Sequence, residues 1–182
     1  MGKKIIGTIL ALSIAAVGLY GCRRLRIEEP ERNIKLTYED WDEGIALTSL
    51  AAAVMEDRMG YRVDMIMEDA DAAFASLAAG DTDACLNVRL PITHKSQVEQ
   101  YGSDMIDLGI SYESEERVHK YVRKGFATDM PEVALFLKNF KMNEAELKDF
   151  MESMKEDGRE PLESARIWIK LNTELINGWI SG

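Results

Sequence analysis

The chain has 182 residues, 32 of them acidic and 22 basic, for a formal net charge of −10. That balance argues against a nucleic-acid partner, whose phosphates select basic surfaces, and the length suffices for one hydrophobic core rather than two. Two cysteines, Cys22 and Cys85, provide neither a disulfide framework nor a metal-ligand spacing.

Lys3 and Lys4 precede an apolar run from Ile5 to Leu19 that only Gly and single hydroxyl residues interrupt. The run is shorter than the roughly 20 residues a bilayer span needs. A charged start before such a run predicts a secretory signal over residues 1–21. Gly21 directly before Cys22 makes it a lipoprotein signal: Cys22 takes a diacylglyceryl group and becomes the new N-terminus. An uncleaved anchor and an ordinary cleaved signal are the alternatives, and Tyr20 is bulky for a lipoprotein leader. Two acyl chains anchor durably where one does not, so the expected location is the extracytoplasmic face of a cell membrane. Residues 22–32, charged and carrying Pro30, read as a tether whose arginines could lie against anionic headgroups.

A globular domain over residues 33–182 follows. Asn33 to Tyr38 alternates as a strand, and Gly44 to Met59 is apolar at helical spacing with Gly60 as its stop. Tyr61 to Met67 alternates again; Asp71 to Ala79 is a short helix with Phe74 and Leu77 inward and Gly80 at its end; Asp83 to Val88 is a third strand. This βαβαβ rhythm predicts a parallel sheet with right-handed crossovers. Ligands of such sheets sit beyond the carboxyl ends of the strands, where Trp41 and the segment Arg89–His94 fall. Cys85, in an apolar strand, reads as a buried inert thiol.

Beyond Pro91 the spacing predicts a short helix over Thr93–Tyr101, a strand at Asp107–Ile110, and helices over Pro131–Phe140 and Asn143–Lys155. Asn143 with Glu146 resembles a capping pair. A last amphipathic helix runs from Pro161 to about Trp179, with Trp168 and Trp179 on its apolar side as packing residues. There are no repeats and no low-complexity tracts.

Three blocks carry a family resemblance: WDEGIA from Trp41, MEDADAAFASLAAGDTDACLNVRLPITHK from Met67 to Lys95, and VHKYVRKGFATDMPEVALFLKNFKMNEAELKDFM from Val118 to Met151. In that order they resemble the substrate-binding proteins of ABC importers of the glycine betaine/choline/proline (quaternary amine) family, over about Ile34 to Trp179. The resemblance implies an α/β fold: a single lobe of the type II periplasmic-binding-protein architecture, a mainly parallel sheet flanked by helices, with the C-terminal helices packed on the same lobe. In the family the chain leaves this lobe after a stretch like Asp107–Glu113, builds a second lobe and returns near Val118. Here only Ser114 to Arg117 intervene, so the second lobe is absent between about 113 and 118. A deletion and a separately encoded lobe both stay open.

A quaternary ammonium has no N–H to donate and is held by aromatic faces worth about 0.5–2 kcal/mol each. A carboxylate tail needs backbone N–H groups or a donor such as His. The resemblance makes Trp41 a cage aromatic, puts Arg89 where a second cage Trp would stand, and matches His94 to the His of a Trp-Leu-Pro-x-Thr-His-Lys segment. Each residue also has a plainer reading: Trp41 as packing at an element edge, His94 as a helix start, Arg89 as the partner of a nearby acid. By the same measure, His119 reads as a surface or hinge residue and Glu39, Asp40, Asp42 and Glu43 as a solvated acidic loop. Losing two or three aromatic faces costs on the order of 1–5 kcal/mol, so a small zwitterionic or cationic solute is expected to bind this chain alone weakly.

The function implied is that of the extracytoplasmic, lipid-anchored substrate-binding component of an osmoprotectant ABC transporter, with permease and ATPase subunits as partners. The alternative is a membrane-tethered interaction module that docks on a permease or complements a separate second lobe. A bare cleft wall would also favour dimerisation through that face. No nucleophile–base pair, metal cluster or phosphate-binding glycine loop marks the chain as an enzyme, and no cofactor is expected.

Overall fold

A computed structural model describes residues 32–113 and 115–182. The leader, Cys22 and all of the tether but Arg32 lie outside the described residues. Five strands form one sheet: β1 (Asn33–Tyr38), β2 (Arg62–Met67), β3 (Ala84–Leu90), β4 (Met105–Glu113) and β5 (Arg117–Arg123), in the order β2-β1-β3-β5-β4. β1 is parallel to both β2 and β3, as the βαβαβ rhythm requires. β5 then returns antiparallel to β3, and β4 antiparallel to β5. The sheet is therefore mixed: a parallel half carrying the site and an antiparallel hairpin beside it. β4 and β5 are joined by a short link after Glu113, and the described residues form a single lobe.

The crossover helices are α1 (Asp42–Met59) and α2 (Ala70–Ala79), each ended by a glycine at positive φ: Gly60 at 75° and Gly80 at 82°. That left-handed position favours glycine because no Cβ clashes there. α1 is buried over almost its whole length, from Ala46 to Met55 without a break. A helix apolar all round belongs in a core, and this one lies between the sheet and the C-terminal helices. Ala51, Ala52 and Ala53 are fully buried and leave room for α7 (Pro161–Leu171) to pack closely through Ala165.

Between these lie α3 (Lys95–Tyr101), α4 (Phe126–Asp129), α5 (Pro131–Asn139) and α6 (Glu144–Asp157). α6 opens with a full capping box between Asn143 and Glu146. The long terminal helix expected over Pro161–Trp179 is instead two, α7 and α8 (Thr173–Ser181), broken at Asn172. There the Asn172 backbone leaves the helical range (φ −113°, ψ 38°), and its Nδ2 and its own amide both donate to the Trp168 carbonyl, at 3.0 and 3.1 Å. The break lets Trp179 pack edge-on to Phe140, 4.7 Å between ring centroids, while Trp168 meets Phe150 at 5.7 Å.

β5 was not legible as a strand because Lys120 stands at a buried position in it. Only 1% exposed, Lys120 donates to the carbonyls of Ile110, at 3.1 Å, and Phe140. Asp83, at the start of β3, ties the two halves of the sheet. One carboxylate oxygen accepts from the Lys35 amide at 2.9 Å and the other from Arg123 Nε at 2.7 Å.

Candidate functional site

Trp41 sits between the carboxyl end of β1 and the first turn of α1, with extended backbone (φ −136°, ψ 154°). Its indole lies across that turn because Gly44 leaves the space. A Cβ at Gly44 would fall 2.5 Å from Trp41 Cδ1, 2.7 Å from Trp41 Nε1 and 2.8 Å from Asn87 Nδ2. Asp42 and Glu43 follow in the first turn, where the helix dipole favours negative charge.

The second contributor is the turn after β3. Arg89 and His94 hold each other through the backbone: the Arg89 amide donates to His94 Nδ1 at 2.8 Å, and the His94 amide donates to the Arg89 carbonyl at 3.0 Å. An accepting Nδ1 carries no proton, so the ring's hydrogen is on Nε2. That atom lies 3.0 Å from Glu39 Oε1, without the alignment of a hydrogen bond. The imidazole is 1% exposed, wedged between Trp41 (centroids 5.5 Å apart) and Phe74 (5.4 Å). His94 thus lies beneath the site as its floor. Trp41 and Arg89, both half-buried, are the members that reach solvent.

Arg89 extends over Trp41, its Cζ 4.6 Å from the ring centroid, and pairs with Glu43 through Nη2–Oε1 at 2.9 Å. Trp41, Arg89 and His94 therefore converge in one place. The turn bearing His94 is also held from outside. The amides of Ile92 and Thr93 donate to Glu116 Oε1 at 2.8 and 2.9 Å, and the Thr93 hydroxyl to Oε2. The hydroxyl donation, then the amides, hold the Glu116 carboxyl below the usual carboxylate range. Glu116 belongs to the short link between β4 and β5.

Two depressions flank Trp41 and Arg89. One, about 430 Å³, is lined by Trp41, Met67, Ala70 and the carboxylates Glu39, Asp40, Glu68 and Asp69. Two of these carboxylates serve the fold: Glu68 accepts from Thr37 and Ser76, and Asp69 caps α2 through the Ala72 amide. The other, about 290 Å³, lies beside Glu43, Tyr112 and Met151. Burial, then the charges of Glu144 and Glu43, raise the Tyr112 hydroxyl pKa. The first depression is lined by carboxylates, and the second mixes Glu43, Glu144 and Glu152 with Lys148 and Lys155.

The acidic loop read from the sequence is largely committed to neighbours: Glu39 faces His94, Asp42 pairs with Lys155 at 2.9 Å and Glu43 holds Arg89. His119 stands away from the site, paired with Asp107 at 2.8 Å. Gly44, Phe74, Asn87 and Glu116 shape the site and were missed; a glycine three residues after Trp41 was the one signal available. Cys85 is buried and donates to Asn87 Oδ1 at 3.0 Å, and burial pushes its thiol up to about 12. Among the described residues no group of His, Cys, Asp and Glu is arranged to hold a metal ion, and no helix is long and apolar enough to cross a membrane.

Residues 32–114 and 107–171 match the family described as the substrate binding domain of ABC-type glycine betaine transport system. The two matched pieces meet at β4, beside the short hairpin. The glycine betaine/carnitine transport binding protein GbuC of Listeria monocytogenes is 34% identical over 71 residues; the match covers 39% of this chain and 23% of that protein. Among solved structures, lactococcal OpuAC closed on glycine betaine superposes with a TM-score of 0.76 at 16% identity, covering 82% of this chain and 99% of that one. An ABC-transporter choline binding protein in complex with choline gives 0.77 at 16% identity, covering 85% and 94%. ProX of Borrelia burgdorferi gives 0.77 at 14% identity, covering 81% and 96%. At such identities these structures establish the fold.

Proposed function

This chain belongs to the family of substrate binding domains of ABC-type glycine betaine transport systems, and we propose that it works as the lipid-anchored, extracytoplasmic solute-binding component of such an importer. The observation that carries the reading is the convergence of Trp41, Arg89 and the buried His94 at the carboxyl ends of parallel β1 and β3, where an α/β sheet presents its ligand. Acidic surroundings and an aromatic face suit a small solute bearing a cationic amine. With one jaw, the site stays open to water, and screening weakens each contact. The single lobe is therefore expected to hold glycine betaine or choline with a dissociation constant above the micromolar range.

The test is in-cell cross-linking of the full chain followed by identification of the captured subunits. An ABC permease with its ATPase is the expected catch. Recovery of neither, under conditions that capture a two-lobed family member with its permease, would overturn the reading. Met67 and Ile92, 58% and 77% exposed at the rim of the site, favour a second reading in which a lobe-like partner covers this face. That reading expects a soluble α/β protein in the same cross-linked fraction.

A further inference from the structure

The Arg89 guanidinium does at this site what a bound cation would do. It lies over the Trp41 ring at 4.6 Å and sets its charge against Glu43, Nη2 to Oε1 at 2.9 Å. The reciprocal backbone contacts with His94 pin the residue's main chain, and the side chain keeps 23% of its surface in solvent. A planar, weakly hydrated guanidinium suits stacking and carboxylate pairing at once. A tetraalkylammonium can take the ring face, but its alkyl groups keep its nitrogen from approaching Glu43 as closely as the 2.9 Å of the guanidinium.

We propose that Arg89 is a tethered occupant of the cation seat formed by Trp41 and Glu43, so that an external methylated ammonium enters only when the guanidinium swings away. This rests on the reading of the site as a solute seat. Tethering supplies the internal cation at an effective concentration in the millimolar range or above, so an external solute competes at a disadvantage. A seat filled by Arg89 nine-tenths of the time raises the apparent dissociation constant of an external cation about tenfold. Displaced, the positive side chain remains nearby and repels a cation further, which makes tenfold a lower bound.

The full chain in detergent micelles, labelled with ¹⁵N-tryptophan, is titrated with tetramethylammonium chloride against sodium chloride of equal ionic strength, reading the Trp41 indole N–H. Arg89→Gln and Arg89→Ala should both show a saturable shift with an apparent dissociation constant at least about tenfold below that of the unsubstituted chain. Unmoved Trp168 and Trp179 resonances confirm that each variant is folded, and the two variants back each other up. An equal response from variants and unsubstituted chain overturns the proposal, and so does no response from any of them. Neither result touches the permease cross-link, which needs no solute, so failure here and failure of the transport reading are told apart.

Discussion

Gly44→Ala and Gly178→Ala put the same methyl group on two helical glycines with opposite expected signs. Gly178, in α8, has no heavy atom within 4 Å of the point an added Cβ would occupy, and alanine there should gain about 0.5–1 kcal/mol of stability from reduced backbone entropy in the unfolded chain. Gly44 gains the same term, but its methyl would stand 2.5–2.8 Å from two atoms of Trp41 and from Asn87 Nδ2. Asn87 is 2% exposed and bonded to Cys85, so it has little room to retreat, and the indole must move instead. Overpacking of this kind costs about 1–3 kcal/mol. The net expectation for Gly44→Ala is a loss of up to about 2 kcal/mol, placing the two variants about 1–3 kcal/mol apart. Urea melts at constant m-value measure that gap, and near-ultraviolet circular dichroism reports the displaced indole. A Gly44→Ala protein as stable as Gly178→Ala, with its Trp41 signal unchanged, would refute the packing reasoning.

Metabolic labelling with a clickable fatty acid should mark the chain, and Cys22→Ser should abolish the label and release the protein from membranes; continued labelling of that variant would count against lipidation at Cys22. Glu116→Ala removes the carboxylate that holds the Ile92 and Thr93 amides, so hydrogen exchange at those two amides should quicken while the amides of α1 keep their protection. Burial pushes Lys120 down to about 8 from its ordinary value of 10.5; between those pH values the unfolded chain binds more protons than the folded one, so stability rises with pH by at most about 1.4 kcal/mol per unit. The buried Cys85 thiol, pushed up to about 12, works in the opposite direction above about pH 9, so melts compared between about pH 8 and 9 should show the gain, and Lys120→Met should remove it. Sedimentation velocity across a wide concentration range should show dimers forming through the open face, and Met67→Lys or Ile92→Lys should dissociate them.

The parallel half of the fold was legible because its strands are short apolar or alternating runs and its two crossover helices each stop at a glycine. β1 is found where the alternation of Asn33–Tyr38 put it, and α1 and α2 stop at Gly60 and Gly80. The antiparallel half was obscured by residues that break their element's pattern for tertiary reasons. Lys120 interrupts the apolar alternation of β5 because its ammonium reaches the carbonyl of Ile110 in β4 and that of Phe140 at the end of α5. Gly109, at φ 94°, bulges β4 and shifts its register, shortening the strand visible from spacing alone. Asn172 reads as a tolerable helix interior residue, yet its backbone leaves the helical range at φ −113° and ψ 38°, and its Nδ2 joins its own amide on the Trp168 carbonyl. The site divides in the same way. Trp41, Arg89 and His94 were singled out by their place at strand ends and their block resemblance, and the fold brings the three together. Glu116 and Asn87 act through contacts 23 and 43 residues distant in sequence, or more, and no local spacing announces them.

A lone jaw poses a physical problem that a complete clamp does not. In a two-lobed receptor the opposing lobe shields the aromatic face of the cage from water; in a single lobe Trp41 would stand bare beside exposed Met67 and Ile92. Arg89 covers the ring with a group that is at home both on an indole and in water, and Glu43 keeps it there. Glu116, in the short link between β4 and β5, restrains the turn on which His94 sits. A protein that acquired a second lobe, or a partner in its place, would no longer need Arg89 as cover, and the guanidinium would become an obstacle. The Arg89→Gln titration therefore measures how far this lobe has been adapted to work alone.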